Sequence, residues 1–330
     1  METKIQQQKL KLKKHSNQVS LSLLARYGWS LVRGVIILGI CFLIVYPTLV
    51  KISVSIMSES DLYDLTVRYI PKTPTYEHFI MVWEAMRYPS SFLNTIKLST
   101  LTSVMQLISC TLIGYGFARF KFKGRGILFG MVIVTMIVPP QTIMIPLFLH
   151  FRFFDFLGII SFITGSKGVN LLDSYWPFAL MSLTGMGLKN GLYIYIIRQF
   201  FRGMPKELEE AAYVDGSGLF RTFYEIMLPS AIPAMVTVFL FSFVWQWTDT
   251  FYSTLFLQRL RVLPSALSSV AFEIRQLVYW QTGIDTGLSP VISSLYINAA
   301  SLLVIAPLVI LYLFAQKYFV ESIERSGIVG

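Results

Sequence analysis

Side chains that usually carry out catalysis or bind metals are few and scattered in this 330-residue sequence. The histidines His15, His78 and His150 stand far apart, and no His-Glu-x-x-His or Cys/His ligand spacing occurs. Cys41 and Cys110 lie inside apolar runs, where a thiol behaves as a small hydrophobic side chain. The sequence also lacks a Gly-x-x-x-x-Gly-Lys-Ser/Thr loop to hold ATP phosphates. It therefore predicts no metal site, no disulfide framework and no ATP cradle on this chain.

A second group of chemically capable residues consists of polar side chains inside long apolar stretches: Gln106, Gln141, Lys189, Asn190, Gln246 and Asn298. Polar groups are costly in lipid, so these side chains are expected to face protein or a wet cavity. They could line a transport pathway, but hydrogen bonding between helices is the commoner role in a bundle. Trp245, Trp247 and Asp249 would suit a sugar, yet an interfacial aromatic belt is the favoured interpretation.

Transmembrane helices are the elements expected to position these residues. Hydrophobic residues make up 54% of the chain, charged residues only 14%, and the mean hydropathy is +0.60. A soluble core could not bury so much apolar surface. The formal net charge is +10, but the basic residues are dispersed between apolar stretches, unlike the patch of a nucleic-acid-binding protein. The sequence predicts an all-α polytopic membrane protein with no nucleic-acid partner.

Six membrane spans are predicted, because a spanning helix needs about 20 mostly apolar residues. They lie between Arg33 and Lys51, Lys97 and Arg119, Arg125 and Arg152, Tyr175 and Ile197, Glu225 and Asp249, and Asp285 and Lys317. The fourth is the least regular, since Lys189 and the glycines Gly185, Gly187 and Gly191 weaken it as a straight helix. It should need support from neighbouring helices or a wet cavity.

Prolines interrupt three of these spans: Pro139, Pro140 and Pro146 in the third, Pro229 and Pro233 in the fifth, and Pro307 in the sixth. Proline frees backbone carbonyls, which is tolerated at membrane depth where protein or water satisfies them again. Bent helices along a pathway are one interpretation. The other is that proline is simply common in membrane helices.

The distribution of basic residues predicts the orientation. Seven Lys and Arg residues precede the first span, and four lie within 119–125 without an acidic residue. Under the positive-inside rule, both termini and the segment 199–224 face the cytoplasm. The loops near 58–91, 150–175 and 250–288 then lie outside. The tail before Leu21 is polar and basic, and is expected to be disordered.

The cytoplasmic segment 204–229 predicts two short helices joined by a sharp turn. Pro205 and the acidic residues after it favour the N-terminus of the first helix. Gly216 suits the left-handed conformation that ends a helix, and Ser217 is expected to cap the second helix, from Leu219 onward.

This segment resembles the EAA loop of binding-protein-dependent ABC importer permeases. Every fixed position of that motif is filled, by Glu210, Ala211, Ala212, Gly216, Ile226, Leu228 and Pro229. The resemblance implies that the loop docks into a cleft of a cytoplasmic ATPase subunit. Glu210 would reach a basic residue of that partner, and Gly216 would form the elbow between the two coupling helices.

Two further stretches are similar to carbohydrate-uptake permeases. The run from Ile197 to Leu208 is one, and the C-terminal residues 315–320 and 326–330 resemble the end of the six-helix permease subunit of the maltose transporter. The resemblance implies a type I ABC importer in the bacterial plasma membrane. Its other parts would be a second permease subunit, two ATP-binding subunits that hold ATP and Mg, and an extracytoplasmic solute-binding protein. The cargo would be a sugar or oligosaccharide, and this chain would not be an enzyme.

On this interpretation the chain divides into four parts. They are a basic cytoplasmic tail (1–32), a first transmembrane helix with an outer loop (33–91), a core permease domain (92–319) with the coupling loop 204–229, and a cytoplasmic C-terminal tail (320–330).

Two alternatives come from other functional classes. A membrane-embedded enzyme acting on lipid-linked sugars would need paired carboxylates, for which Asp61 and Asp64 are the nearest candidates. An ion-coupled secondary transporter would need membrane-buried acids, and no Asp or Glu lies deep in any predicted span.

Overall fold

The computed structural model of the chain describes residues 2–165, 167–284 and 287–327, with side chains from residue 27 to residue 316 apart from Thr164. Its regular secondary structure is helical, and an isolated bridge joins Phe154 to Val169. The chain forms two compact units; along the sequence, the first ends at Thr75 and the second begins at Tyr76. The last three residues of the C-terminal resemblance, 328–330, lie outside the described residues.

The first unit is built on one long helix. Helix α1 (Glu2–Ser55) is followed by the short α2 (Glu59–Tyr63). From Tyr27 to Ser55, α1 is long and apolar enough to cross a membrane. The disorder expected before Leu21 is not found, because α1 already begins at Glu2. Residues 2–27 contain neither proline nor glycine, and their Lys, Gln and Leu residues favour a helix.

The acidic residues of the first unit stabilise its loop. Asp61 accepts hydrogen bonds from the backbone N–H and the hydroxyl of Thr73, at 3.1 and 3.2 Å. Asp64 pairs with the Lys72 ammonium at 2.5 Å, which holds the pKa of that carboxyl well below its usual range. Each carboxylate therefore has its own partner, unlike the shared catalytic pair that the enzyme alternative requires.

The second unit contains the remaining helices. They are α3 (Glu77–Ala85), α4 (Tyr88–Arg119), α5 (Arg125–Ile137), a 3₁₀ turn (Pro140–Ile143), α6 (Met144–Arg152), α7 (Ile159–Thr164), α8 (Trp176–Leu183), α9 (Asn190–Gly203), α10 (Glu207–Val214), α11 (Leu219–Thr222), a π-helical turn (Phe223–Met227), α12 (Leu228–Ser230), α13 (Ile232–Trp247), α14 (Phe251–Phe256), α15 (Leu263–Thr282) and α16 (Pro290–Gly327).

Five of the six predicted spans correspond to helices or bent helix pairs that could cross a membrane. Among the described residues, three are continuous: Tyr27–Ser55 of α1, α4, and Pro290–Gln316 of α16. Two more are bent pairs, Arg125–Ile137 with Pro140–Arg152 at 98° and Leu219–Ser230 with Ile232–Trp247 at 70°. The fourth predicted span, 175–197, is not one straight helix. It is divided into α8 and α9 by an irregular segment, 184–189, where the glycines are concentrated.

Both bends occur at prolines. Val138 precedes Pro139 and is extended, as expected of a residue before proline. The carbonyl of Pro139 is satisfied by the backbone N–H and the hydroxyl of Thr142, at 3.1 and 2.7 Å. The 70° bend lies between Pro229 and Pro233. Pro307, by contrast, sits inside α16 without a break, so proline alone does not decide where a span bends.

Helix α4 is the centre of the second unit and packs against α8, α9 and α13. Its contact with α9 is close, because a Cβ on Gly114 would lie 2.9 Å from Cβ of Ile197. Trp247 of α13 is buried in a core cluster that also contains residues of α3, α15 and α16. Helix α4 also contacts both the segment after α9 and the irregular segment between α8 and α9.

Candidate functional site

Helix α10 forms the first half of the predicted coupling loop. It begins after Lys206, whose carbonyl accepts the N–H groups of Glu209 and Glu210 at 3.0 and 3.1 Å. Acidic side chains in its first turn favour the positive end of the helix dipole. The helix ends at Val214, and Gly216, one residue beyond the C-cap, has a φ of +82°. The Ser217 N–H donates to the carbonyl of Ala212 at 2.9 Å. This hydrogen bond is the long one of a Schellman motif, so Gly216 forms the predicted elbow.

The second half of the loop differs from the prediction at its start. The residue before α11 is Gly218, and no side chain caps that helix. The predicted cap by Ser217 is therefore wrong, because Gly218, which has no side chain, occupies the N-cap position of α11. A π-helical turn follows and contains Ile226, while Leu228 and Pro229 open α12.

The two glutamates at the end of α10's first turn have different environments. Glu209 Oε1 accepts a hydrogen bond from the Tyr115 hydroxyl at 3.1 Å and lies 3.5 Å from Nε of Arg119. Arg119 also donates to the carbonyl of Met204 at 3.0 Å. These contacts hold α10 against the end of α4. Glu210, the glutamate of the EAA motif, is exposed.

Sequence reasoning missed Glu209 and Arg119 as a pair. A signal was available in helical periodicity, because Glu209 lies three residues before Ala212 and therefore on the same face. Ala212 is buried, whereas Ala211 is exposed with Glu210. The inward face of α10 thus belongs to the chain itself, and its outward face is available to another molecule.

The outward side of α10 and α11 is unusually apolar. Val214 and Phe220 are 87% and 85% exposed. Together with Glu210, the exposed apolar side chains here form what we call the coupling surface: Leu208, Tyr213, Val214, Leu219, Phe220 and Tyr224. Tyr224 lies in the π-helical turn, and the others lie on α10 and α11. Groups of exposed large apolar side chains are typical of surfaces that contact another protein or a membrane.

The irregular segment between α8 and α9 is a second candidate site. Helix α4 satisfies carbonyls in this segment and at the end of α8. Gln106 Nε2 donates to the carbonyl of Leu188 at 2.9 Å, and Ser109 Oγ donates to the carbonyl of Ser182 in α8 at 2.6 Å. Gln106 also accepts a hydrogen bond from Ser242 of α13. Gln106 therefore bonds between helices, the role that sequence reasoning favoured for such residues.

A cavity of about 380 Å³ lies between this segment and the bend after α5. Lys189 and Asn190 line it, together with apolar side chains and the prolines of the bend. Lys189 has a φ of +61°, and its ammonium lies 4.8 Å from the centroid of the Trp245 ring. Asn190 is 2% exposed; its Nδ2 lies 3.4 Å from the Ser182 carbonyl, and its Oδ1 has no hydrogen-bond partner among the described residues.

The other predicted pathway residues do not line this cavity. Gln141 is exposed in the 3₁₀ turn beside Pro140, Gln246 is buried in α13, and Asn298 is half-buried in α16. The structure therefore brings Gln106, Lys189 and Asn190 together and leaves the remaining three apart. The described residues contain no cluster of three or more His, Cys, Asp or Glu that could hold a metal ion.

The residues at the end of α13 also differ from expectation. Trp247 is 2% exposed and donates from its indole nitrogen to the carbonyl of Val304 at 3.1 Å. It is a core residue and does not belong to an interfacial belt. Asp249 accepts the N–H groups of Tyr252 and Ser253, so it caps α14. Only Trp245 of this trio is substantially exposed.

Comparison with known protein families identifies the chain. The model of the family described as "Binding-protein-dependent transport system inner membrane component" matches residues 111–325, which include α5 to α15 and both candidate sites. The chain belongs to this family. The expected likeness in the EAA loop therefore extends over most of the second unit.

Relatives within this family of transport components cover most of the chain. The arabinooligosaccharides transport system permease protein AraQ of Halalkalibacterium halodurans is 28% identical, over 88% of this chain and 93% of its own. The probable ABC transporter permease protein YurM of Bacillus subtilis is 27% identical, over 87% and 84%. The melibiose/raffinose/stachyose import permease protein MelC of the same species is 26% identical, over 86% and 91%.

A solved structure shows the same fold. A chain of a bacterial ABC transporter involved in the import of the acidic polysaccharide alginate superposes with a TM-score of 0.64 and 22% identity. The match covers 88% of this chain and 96% of that chain. The chain is thus an all-α, multi-pass membrane protein with the fold of an ABC importer permease.

Proposed function

We propose that this chain is a permease subunit of an ATP-driven importer of sugars or oligosaccharides, energised through its coupling surface. The complex would also contain a second permease subunit, two ATP-binding subunits and an extracytoplasmic solute-binding protein. ATP and Mg would bind to the ATP-binding subunits. The observation that carries the proposal is that the two faces of α10 differ. Glu209 binds Tyr115 and Arg119 of α4, whereas Glu210 and several apolar side chains are exposed.

The chemistry of the coupling surface fits a protein groove. Phe220 and Val214 would each bury most of their apolar surface on docking into a protein groove. Removing this surface from water makes the free energy of binding more favourable. Among the residues of the coupling surface Glu210 is the charged one, so it favours a partner with a basic residue at the rim of its groove. A short helix that inserts apolar side chains into a groove is a common mode of recognition.

The connection from α10 to α4 supports transmission of force. A rotation of the docked α10 would act on Arg119 and Tyr115 at the end of α4, through their contacts with Glu209. Helix α4 continues to Gln106, which holds the irregular segment between α8 and α9. Closure of an ATPase dimer could therefore move the wall of the cavity, and alternate the access to it between the two sides of the membrane.

The same contact supports the proposed orientation. Glu209 binds Arg119, so the coupling surface and the basic segment 119–125 lie on one side of the membrane. The positive-inside rule assigns that side to the cytoplasm, and the seven basic residues before the first span assign the N-terminus to it as well. The proposal places both termini in the cytoplasm, where ATP-binding subunits are found.

The cargo class is proposed from the relatives. AraQ is named for the transport of arabinooligosaccharides, and MelC for the import of melibiose, raffinose and stachyose. Their alignment extends over more than four-fifths of this chain. A carbohydrate cargo for this chain is therefore the simplest interpretation.

Co-purification tests the proposed function. The chain would be tagged and co-expressed with the permease, ATP-binding and solute-binding proteins encoded beside it, and compared with Glu210→Lys and the control Glu207→Lys. Glu207 lies in the same turn, and it is exposed and has no ion pair in the described part of the chain. The proposal expects an ATP-binding subunit to co-purify with wild type and with the control, and to be lost or uncoupled from sugar in Glu210→Lys. If no ATP-binding protein assembles with wild type, the proposal is wrong.

A further inference from the structure

The cavity beside α9 contains a positive charge that the chain does not neutralise. Lys189 lines the cavity, and it forms no ion pair with any carboxylate among the residues that the structure describes. A cation within a membrane domain is costly unless it faces water, a counter-ion or a ligand. Lys189 is exposed, so its ammonium is open to such a group.

The backbone holds Lys189 in an unfavourable conformation at this position. Its φ of +61° lies in the left-handed region, which non-glycine residues rarely adopt. The Trp245 ring lies beneath the ammonium at 4.8 Å, a cation–π arrangement that restrains the flexible side chain. Lys189 also directly precedes α9, whose N-terminal end carries partial positive charge. These features together concentrate positive potential at the edge of the cavity.

Asn190 supplies an independent observation. It lines the same cavity and is 2% exposed, and its Oδ1 has no hydrogen-bond partner among the described residues. Its Nδ2 faces the Ser182 carbonyl, so the free group of the side chain is an acceptor. A buried acceptor without a donor is unfavourable. A hydroxyl group entering the cavity would satisfy it.

We propose that this cavity binds a sugar that carries a carboxylate, such as a uronic acid residue of an acidic oligosaccharide. The carboxylate lies on the Lys189 ammonium, and a neighbouring hydroxyl donates to Asn190 Oδ1. The cavity volume of about 380 Å³ lies within the range of small-ligand sites, so the cavity has room for one short saccharide. This inference rests on the proposed function and narrows its cargo from sugars in general to acidic sugars, because a neutral cargo would leave the cation unpaired.

The test compares acidic and neutral members of matched sugar pairs. Wild-type complex in phosphatidylcholine nanodiscs would be titrated with digalacturonate and galactobiose, and with dimannuronate and mannobiose. The inference expects the acidic member of at least one pair to bind more tightly. Lys189→Gln should weaken that acidic member about ten-fold or more and leave its neutral counterpart unchanged, since a charge-assisted hydrogen bond is lost. Lys189→Arg should restore acidic binding.

Two controls separate this result from general effects. Lys167→Gln removes a positive charge that is exposed and does not line the cavity, and should leave all affinities unchanged. Asn190→Ala should weaken acidic and neutral sugars alike, because both carry hydroxyl groups. The inference is overturned if wild type binds both members of each pair equally, if Lys189→Gln weakens both equally, or if no acidic probe binds to a complex that retains its ATP-binding subunit.

An anionic lipid headgroup is the other source of a negative group for Lys189. To distinguish a lipid from a sugar, the complex would be purified again from nanodiscs that contain phosphatidylglycerol. If phosphatidylglycerol is retained only when Lys189 is present, and acidic sugars bind no more tightly than neutral ones, the inference is overturned. Failure of the ATP-binding subunit to co-purify is a different result. It contradicts the proposed function, while the acid preference of the purified chain is still measured directly.

Discussion

Single residues determine which face of α10 packs against the rest of the chain and which face is exposed for a partner. Gly216 and Glu210 could be assigned from the EAA spacing, because the motif specifies their types and positions. For Glu209, helical periodicity indicates only that it shares a face with Ala212. Its partners Tyr115 and Arg119 lie on α4, and no local pattern identifies them. Trp247 and Asp249 were misjudged for a similar reason. Their partners, the Val304 carbonyl and the N–H groups of α14, lie on elements whose packing the sequence does not specify.

Removing the charge of Glu209 tests this assignment. Glu209→Gln should leave the Arg119 guanidinium without a counter-ion in a mostly buried site, at a cost of about 1–3 kcal/mol. Helix α10 would then be held less firmly, so less sugar should be transported per ATP hydrolysed, while the ATP-binding subunit still co-purifies. The measurement is the ratio of sugar uptake to ATP hydrolysis in proteoliposomes. Glu207→Gln is the matched control, and an equal ratio in both variants would remove Glu209 from the account.

The elements of the fold were predictable where a single residue type controls them. Apolar length predicts α4 and α16. The prolines only mark candidate bends, because Pro139 and Pro140 lie at the 98° bend whereas Pro307 lies in an unbroken helix. The division of the fourth span was only indicated, by Lys189 and its neighbouring glycines, because the hydrogen bonds that stabilise the break come from Gln106 and Ser109 of a distant helix. A local pattern shows that a helix is weak, but not which neighbour satisfies its freed carbonyls.

The elbow offers a matched pair of glycine substitutions. Gly216 has a φ of +82° and Gly218 a φ of −75°, and no described atom lies within 4 Å of a Cβ placed on either residue. Gly216→Ala should therefore destabilise the elbow by about 1–2 kcal/mol through backbone strain alone, and Gly218→Ala should be close to neutral. The expected readout is a lower sugar-stimulated ATPase rate for Gly216→Ala only. Equal rates would show that the left-handed turn is not needed for coupling.

The close contact of α4 with α9 makes a second element-scale prediction. An alanine at Gly114 would place its Cβ 2.6 Å from Cγ2 and 2.9 Å from Cβ of Ile197, so the helices must separate. Overpacking of this kind costs about 1–3 kcal/mol. Thermal unfolding of the purified complex should therefore begin at a lower temperature for Gly114→Ala. Gly126→Ala in α5 meets no described atom within 4 Å and should not lower it; a Gly114→Ala variant as stable as wild type would contradict the packing.

At the scale of the whole molecule, composition alone predicted a multi-pass membrane protein, and one loop predicted its family. Its partners could not be deduced by physical argument from one chain, because they are recognised by surfaces on other molecules. What the structure adds is a coupling surface, held by Glu209 and exposed at Glu210 and Phe220. That this surface contacts an ATP-binding subunit is the central claim.

Site-specific photo-crosslinking identifies the protein that contacts the coupling surface. A photoreactive phenylalanine analogue would replace Phe220, which is 85% exposed on the coupling surface, and, as control, Phe162, which is 91% exposed in α7 on the predicted outer side. After irradiation of intact cells that co-express the neighbouring subunits, crosslinked products would be identified by mass spectrometry. We expect an adduct of position 220, and not of position 162, with a protein that contains an ATP-binding Gly-Lys-Ser/Thr loop. An adduct with that protein at position 162, or none at position 220, would contradict it.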